Sequence, residues 1–203
     1  MNAKLSARVQ AVKPSPTLAV TARAAEMRAA GKDVIGLGAG EPDFDTPEHI
    51  KQAGIKAIQD GFTKYTAVDG TAGLKQAIIA KFKRDNGLDY APNQILVSCG
   101  GKQSFYNLAQ AVLVPGDEVV IPAPYWVSYP DMSILAGGVP VFATGTAEQN
   151  FKIKGSQLAA AITEKTKLVV INSPSNPTGV AYSASELAEL GQVLLQHPRI
   201  LIA

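Results

Sequence analysis

The chain has 203 residues, 46% of them hydrophobic and 18% charged, with a net charge of +2. That is apolar material enough for a large core, while the scattered lysines and arginines argue against a nucleic-acid-binding stripe. A single cysteine excludes an internal disulfide framework and fits a reducing cytosol, and two histidines on unrelated stretches, His49 and His197, argue against a histidine metal site or triad. No apolar run is long enough to cross a bilayer, and Lys4 and Arg8 precede no apolar signal core. The expectation is therefore a cytoplasmic protein without membrane or nucleic-acid partners.

In chain order, Pro14 and Pro16 end an N-terminal arm, and a helix is expected from Thr17 to Ala30, stopped by Gly31. The apolar pair Val34-Ile35 leads into a glycine-rich loop, after which Thr46 as N-cap and Pro47 as first residue open a helix that closes at Gly61. Leu74, Ala77, Ile78 and Phe82 mark the apolar face of the next helix, ended by Gly87. Strand signals follow near Ile95, Val119, Val139 and Leu168. Phe105, Leu108, Ala109 and Val112 give a helical stripe between the first two, and Pro115-Gly116-Asp117 forms a turn into the second. Ser183 and Glu186 form a capping box for a helix running toward Gln196. Alternating helix and strand signals indicate an α/β fold with a mainly parallel sheet and helices on both faces.

Four segments carry chemistry. In Leu168-Val169-Val170-Ile171-Asn172-Ser173-Pro174-Ser175-Asn176-Pro177-Thr178-Gly179, a doubly buried strand enters a stiff turn that presents Asn176, which offers an acceptor and two donors. In Leu37 to Pro47, Gly38 and Gly40 allow a backbone to approach a ligand closely. A dinucleotide fingerprint fails here, because Gly36, Gly38 and Gly40 lack the Gly-x-Gly-x-x-Gly spacing and Glu41-Pro42-Asp43 prevents a helix from opening. In Ile95 to Gln103, Gly100 and Gly101 precede a helix whose free N–H groups and dipole suit a phosphate, with Lys102 adding a charge. In Ala123 to Tyr129, the only tryptophan, Trp126, could cover a planar ring. Taken singly, each also suits a plainer role: an ordinary turn, core packing for Trp126, a half-buried loop anchor for Tyr65, a small buried filler for Cys99.

In their order, these segments resemble the class I and II aminotransferases, pyridoxal-phosphate enzymes of fold type I, in the aspartate aminotransferase group. The resemblance implies that Gly100, Gly101 and Lys102 hold the cofactor phosphate, that Trp126 stacks on the pyridine ring, and that Asn176 hydrogen-bonds its phenolic oxygen. It further implies that Tyr65 reaches the phosphate of a neighbouring subunit in a homodimer. Gly40, Trp126, Asn176 and Lys102 would contact substrate, and Lys13 would help choose among acids. The implied reaction is transamination between aspartate, or a similar acidic amino acid, and a 2-oxo acid such as 2-oxoglutarate. Alternatives are a prephenate or aromatic aminotransferase, a lyase of the same fold, or a fragment that only associates with a partner subunit.

By the same resemblance, residues 1–46 form the arm and part of a small domain, and residues 47–203 an incomplete pyridoxal-phosphate-binding large domain. Ile200-Leu201-Ile202-Ala203 reads as the middle of an apolar strand. The family's Schiff-base lysine, ring-nitrogen aspartate and carboxylate-binding arginine have no counterpart among these residues, so no catalytic residue is assigned and the chain alone is expected to be inactive.

Overall fold

The computed structural model describes residues 4–38, 40 and 42–203, so Ala39 and Glu41 of the glycine-rich loop lie outside the described residues. Its residues cluster into two compact units, Met1–Ser15 with Gly100–Ala203, and Pro16–Cys99.

The first unit is built on a four-stranded, wholly parallel sheet: β1 (Glu118–Ala123), β2 (Val139–Thr144), β3 (Thr166–Val169) and β4 (Leu201–Ile202), in the order β2-β1-β3-β4. Alternation along β1 and β3 divides the core in two. Val119, Ile121, Leu168 and Val170 face α5 (Gly101–Val112) and α6 (Ser128–Leu135), packing on Phe105, Ala109 and Met132. Val120 and Val169 face α7 (Gly155–Ala161) and α8 (Ala184–Leu195), packing on Leu158, Leu190 and Leu194. Each such aliphatic side chain taken from water contributes about 1.5–3 kcal/mol, which explains why these strands read as unbroken apolar runs. The short α1 (Ala7–Ala11) belongs to this unit through Arg8, whose guanidinium donates to the Leu135 carbonyl at 3.4 Å.

Local chemistry fixes the start of α8. The Ser183 hydroxyl accepts the Glu186 N–H at 3.3 Å, and the Glu186 carboxylate accepts the Ser183 N–H at 2.7 Å, completing the expected capping box. Glu186 also binds the Lys152 ammonium at 2.6 Å, tying the segment before α7 to the helix. Gly145, just past β2, is buried, and a Cβ there would lie 2.7–2.8 Å from backbone atoms of Phe151 and Lys152.

The second unit contains α2 (Pro16–Ala29), α3 (Glu48–Gln59) and α4 (Ala72–Asn86). Gly31, Gly61 and Gly87 follow these helices at φ of 79°, 75° and 67°, as their placement in the sequence predicts. Four expectations need correction. Helix α3 starts one residue late, with Pro47 rather than Thr46 at the N-cap and no side-chain cap bond. On α4, Leu74 is 46% exposed while Lys75 is buried, because Lys75 folds inward to pair with Asp69. The Ile95 segment forms no strand: Ile95 is buried, but its backbone bonds run to a turn and a loop, Ile95 N–H to the Pro92 carbonyl at 3.4 Å and Val97 N–H to the Asp69 carbonyl at 3.0 Å, with no ladder to a neighbouring strand among the described residues. Cys99 is exposed, since it sits in the turn after that segment rather than in a core.

Three outcomes follow for stability. Gly145→Ala is expected to lower unfolding stability by about 1–3 kcal/mol through overpacking against rigid backbone. By contrast Gly54→Ala, on α3 with no atom within 4 Å of the added methyl, should raise it by about 0.4–1 kcal/mol; urea unfolding of both variants distinguishes the two. Lys152, then the Ser183 N–H, hold the Glu186 carboxyl down from its ordinary 4.5 to about 2. A depressed folded-state value means that its stabilisation is complete above about pH 4.5 and is lost as pH falls through about 2. The gap in urea midpoint between wild type and Glu186→Gln should therefore be widest at neutral pH and shrink steadily toward pH 2.

Candidate functional site

The position of the site follows from the sheet. Strands β1 and β3 are neighbours, yet α6, after β1, lies on one face and α8, after β3, on the other. The chain thus diverges past the carboxyl ends of these two strands, which is where open parallel sheets form ligand crevices. A small cavity opens there, bordered by Ile121, Tyr125, Tyr129, Asn172, Ser175 and Tyr182. Burial pushes the Tyr129 and Tyr182 phenols up, so both stay protonated at neutral pH.

Trp126 lies just beyond β1 and is half-buried. Its indole meets Tyr129 edge-on at 5.2 Å, and Tyr129 meets Phe105 of α5 at 5.0 Å, so one aromatic chain links the indole to the interior of that helix. At the start of α5, Gly100 is the N-cap with φ 89°, a conformation that favours glycine. A Cβ at Gly100 or Gly101 would meet no atom within 4 Å, leaving open space at the N-terminal end of a 12-residue helix, the positive end of its dipole. Lys102 is exposed and places its ammonium 5.4 Å from the centre of the indole ring. The unit thereby brings Gly100, Gly101, Lys102 and Trp126 together: helix-end donors and an exposed cation beside an aromatic face. That donor set suits a flat ring bearing a phosphate.

Asn176 sits in the loop after β3, so it leaves the same edge of the sheet as Trp126; its side chain is exposed. Lys13 is exposed between α1 and α2. Tyr65 and Gly40 belong to the other unit. Gly40 is exposed, and Tyr65 is not the half-buried anchor of the plainer reading, since its ring is wholly in solvent at 106% relative exposure. Among the described residues no group of three or more His, Cys, Asp or Glu could hold a metal ion. The sequence reading passed over Asn172. Its Oδ1 accepts the Asn176 backbone N–H at 2.9 Å. An asparagine at a strand end, where such side chains commonly close on the backbone of the following turn, was the available signal.

The model of the aminotransferase class I and II family matches residues 32–203. An aspartate/prephenate aminotransferase of Nitrosomonas europaea is 66% identical over 98% of this chain and 50% of its own length, and an aspartate aminotransferase of Bacillus subtilis is 56% identical over 98% and 51%. Among solved structures, the aspartate aminotransferase of Rhizobium meliloti superposes with a TM-score of 0.95 at 50% identity, covering 99% of this chain and 50% of that one. That of Thermus thermophilus with maleate gives 0.93 at 48%, covering 98% and 52%. The chain spans about half the length of the curated relatives it matches. With the family model covering most of its residues and the parallel sheet superposing closely on solved members, this chain belongs to the aminotransferase class I and II family.

Proposed function

We propose that the protein containing this chain is a pyridoxal-5'-phosphate-dependent aminotransferase. It exchanges the amino group of aspartate, or a similar acidic amino acid, with a 2-oxo acid such as 2-oxoglutarate, and works as a cytoplasmic homodimer. The observation that carries this reading is the pairing of Lys102 with Trp126 at 5.4 Å, beside the open glycine end of α5. When bound, the cofactor supplies the electron sink for chemistry at the amino acid's α-carbon.

The chain's own residues bind and orient. Gly100, Gly101 and Lys102 take the phosphate, Trp126 covers one face of the ring, and Asn176 offers its amide to the phenolic oxygen. Lys102 also serves the distal carboxylate of an acidic substrate. Gly40 lies against the substrate, Lys13 biases the choice of acid, and Tyr65, fully exposed, extends to the phosphate of the second subunit. Residues 1–46 contribute to a small domain and residues 47–203 to the cofactor-binding domain. None of these residues is assigned the proton-transfer role, and turnover is a property proposed for the whole protein. Among the described residues no helix is long and apolar enough to cross a membrane.

Prephenate is a second amino-group acceptor worth assigning, because a relative at 66% identity is named for both aspartate and prephenate.

Equilibrium dialysis tests the binding half of this reading. Pyridoxal phosphate is expected to bind, and pyridoxal without the phosphate to bind far more weakly. Lys102→Gln should weaken the phosphorylated form by about 10- to 100-fold, the range for losing a charge-assisted bond. Equal affinity for the two forms would overturn the phosphate assignment. Residues 1–203 alone are expected to form no oxaloacetate from aspartate and 2-oxoglutarate, whereas the whole protein should.

A further inference from the structure

We propose that Asn172 is a positioning residue that fixes Asn176 against the sheet, an inference resting on the reading of Asn176 as a cofactor-binding residue. Asn176 is exposed, and two prolines, Pro174 and Pro177, restrict the loop's local path without tying it to the core. The tie is made by Asn172. Its backbone continues from β3 through Val170, whose N–H donates to Val120 at 2.9 Å, and Ile171, whose N–H donates to Ala203 at 2.7 Å. The half-buried Asn172 side chain then accepts the Asn176 N–H at 2.9 Å.

The loop has other clasps. Ser175 N–H donates to the Val180 carbonyl at 2.9 Å, Gly179 N–H to the Ser175 carbonyl at 2.7 Å, and Tyr182 N–H to the Ser173 hydroxyl at 3.0 Å. None of these holds the backbone of Asn176 itself. A side chain that must meet one ligand atom needs a platform held to a fraction of an ångström, and this single amide acceptor connects the platform to a doubly buried strand.

Hydrogen exchange followed by NMR reads the positioning directly, without activity or cofactor. Asn172→Ala should speed exchange at the Asn176 amide by about tenfold or more, of the order expected for losing one hydrogen bond. Asn172→Asp keeps an acceptor and should restore slow exchange. Ser173→Ala, which removes a different clasp of the same loop, should leave Asn176 unchanged. Unaltered exchange at Asn176 in Asn172→Ala overturns the proposal.

Affinity for pyridoxal phosphate gives the second arm. Asn172→Ala should weaken binding about threefold to tenfold, and should add nothing in an Asn176→Ala background, because Asn172 acts through that side chain. An equal loss in both backgrounds also overturns it. If wild type binds no pyridoxal phosphate, the proposed function fails, while the exchange measurements still decide the role of Asn172.

Discussion

Everything at the site depends on one constraint, the burial of a parallel sheet on both faces. Because Val119 and Ile121 point one way and Val120 the other, β1 needs helices above and below it, and β3 repeats the demand through Leu168, Val169 and Val170. Short parallel strands joined through helices can satisfy both faces only if the chain departs to opposite sides somewhere in the sheet. It does so between β1 and β3, and the gap left at their carboxyl ends is the small cavity that Tyr129 and Asn172 border, with Trp126 and Asn176 in the loops that leave those strands.

The crevice is assembled from parts stiffened by different means. The aromatic chain from Phe105 through Tyr129 holds the indole by packing, and the edge-on contacts fix its ring plane. The glycine end of α5 is held by the helix itself, whose buried Phe105 and Ala109 lock it on the sheet. Lys102 alone is a long flexible side chain in solvent, resting over the indole by attraction between its charge and the ring face. A packed ring face with an exposed cation over it is a workable arrangement for a ligand that arrives with its own negative charge.

Much of the fold was legible because its signals are local. The Ser183–Glu186 box and the glycines at 31, 61 and 87 act within one helical turn, where hydrogen-bond geometry and left-handed φ leave little choice. The strands at 119 and 168 were legible because burial on two faces leaves continuous apolar runs, and the one at 139, an edge strand with Val139 and Phe142 partly exposed, through its apolar and β-branched residues. The Ile95 segment has the same composition but gains no ladder, since a strand exists only where a neighbour accepts its hydrogen bonds. On α4 the stripe through Leu74 suggested one buried face, yet the ion pair with Asp69 draws Lys75 inward instead. An ion pair between a loop and a helix leaves no periodic trace.

The sequence by itself determined the α/β class, through composition and periodicity, and the helix caps, through short-range spacing, while the roles expected of Gly100, Trp126 and Asn176 rested on the resemblance of the ordered loops to the family. Only the tertiary structure decided that Lys102 lies over Trp126, that Asn172 rather than a proline secures Asn176, and that Cys99 and Tyr65 face solvent. The reason is that contact between distant segments, and the direction a loop side chain takes, are fixed by which strands become neighbours and which faces they must bury.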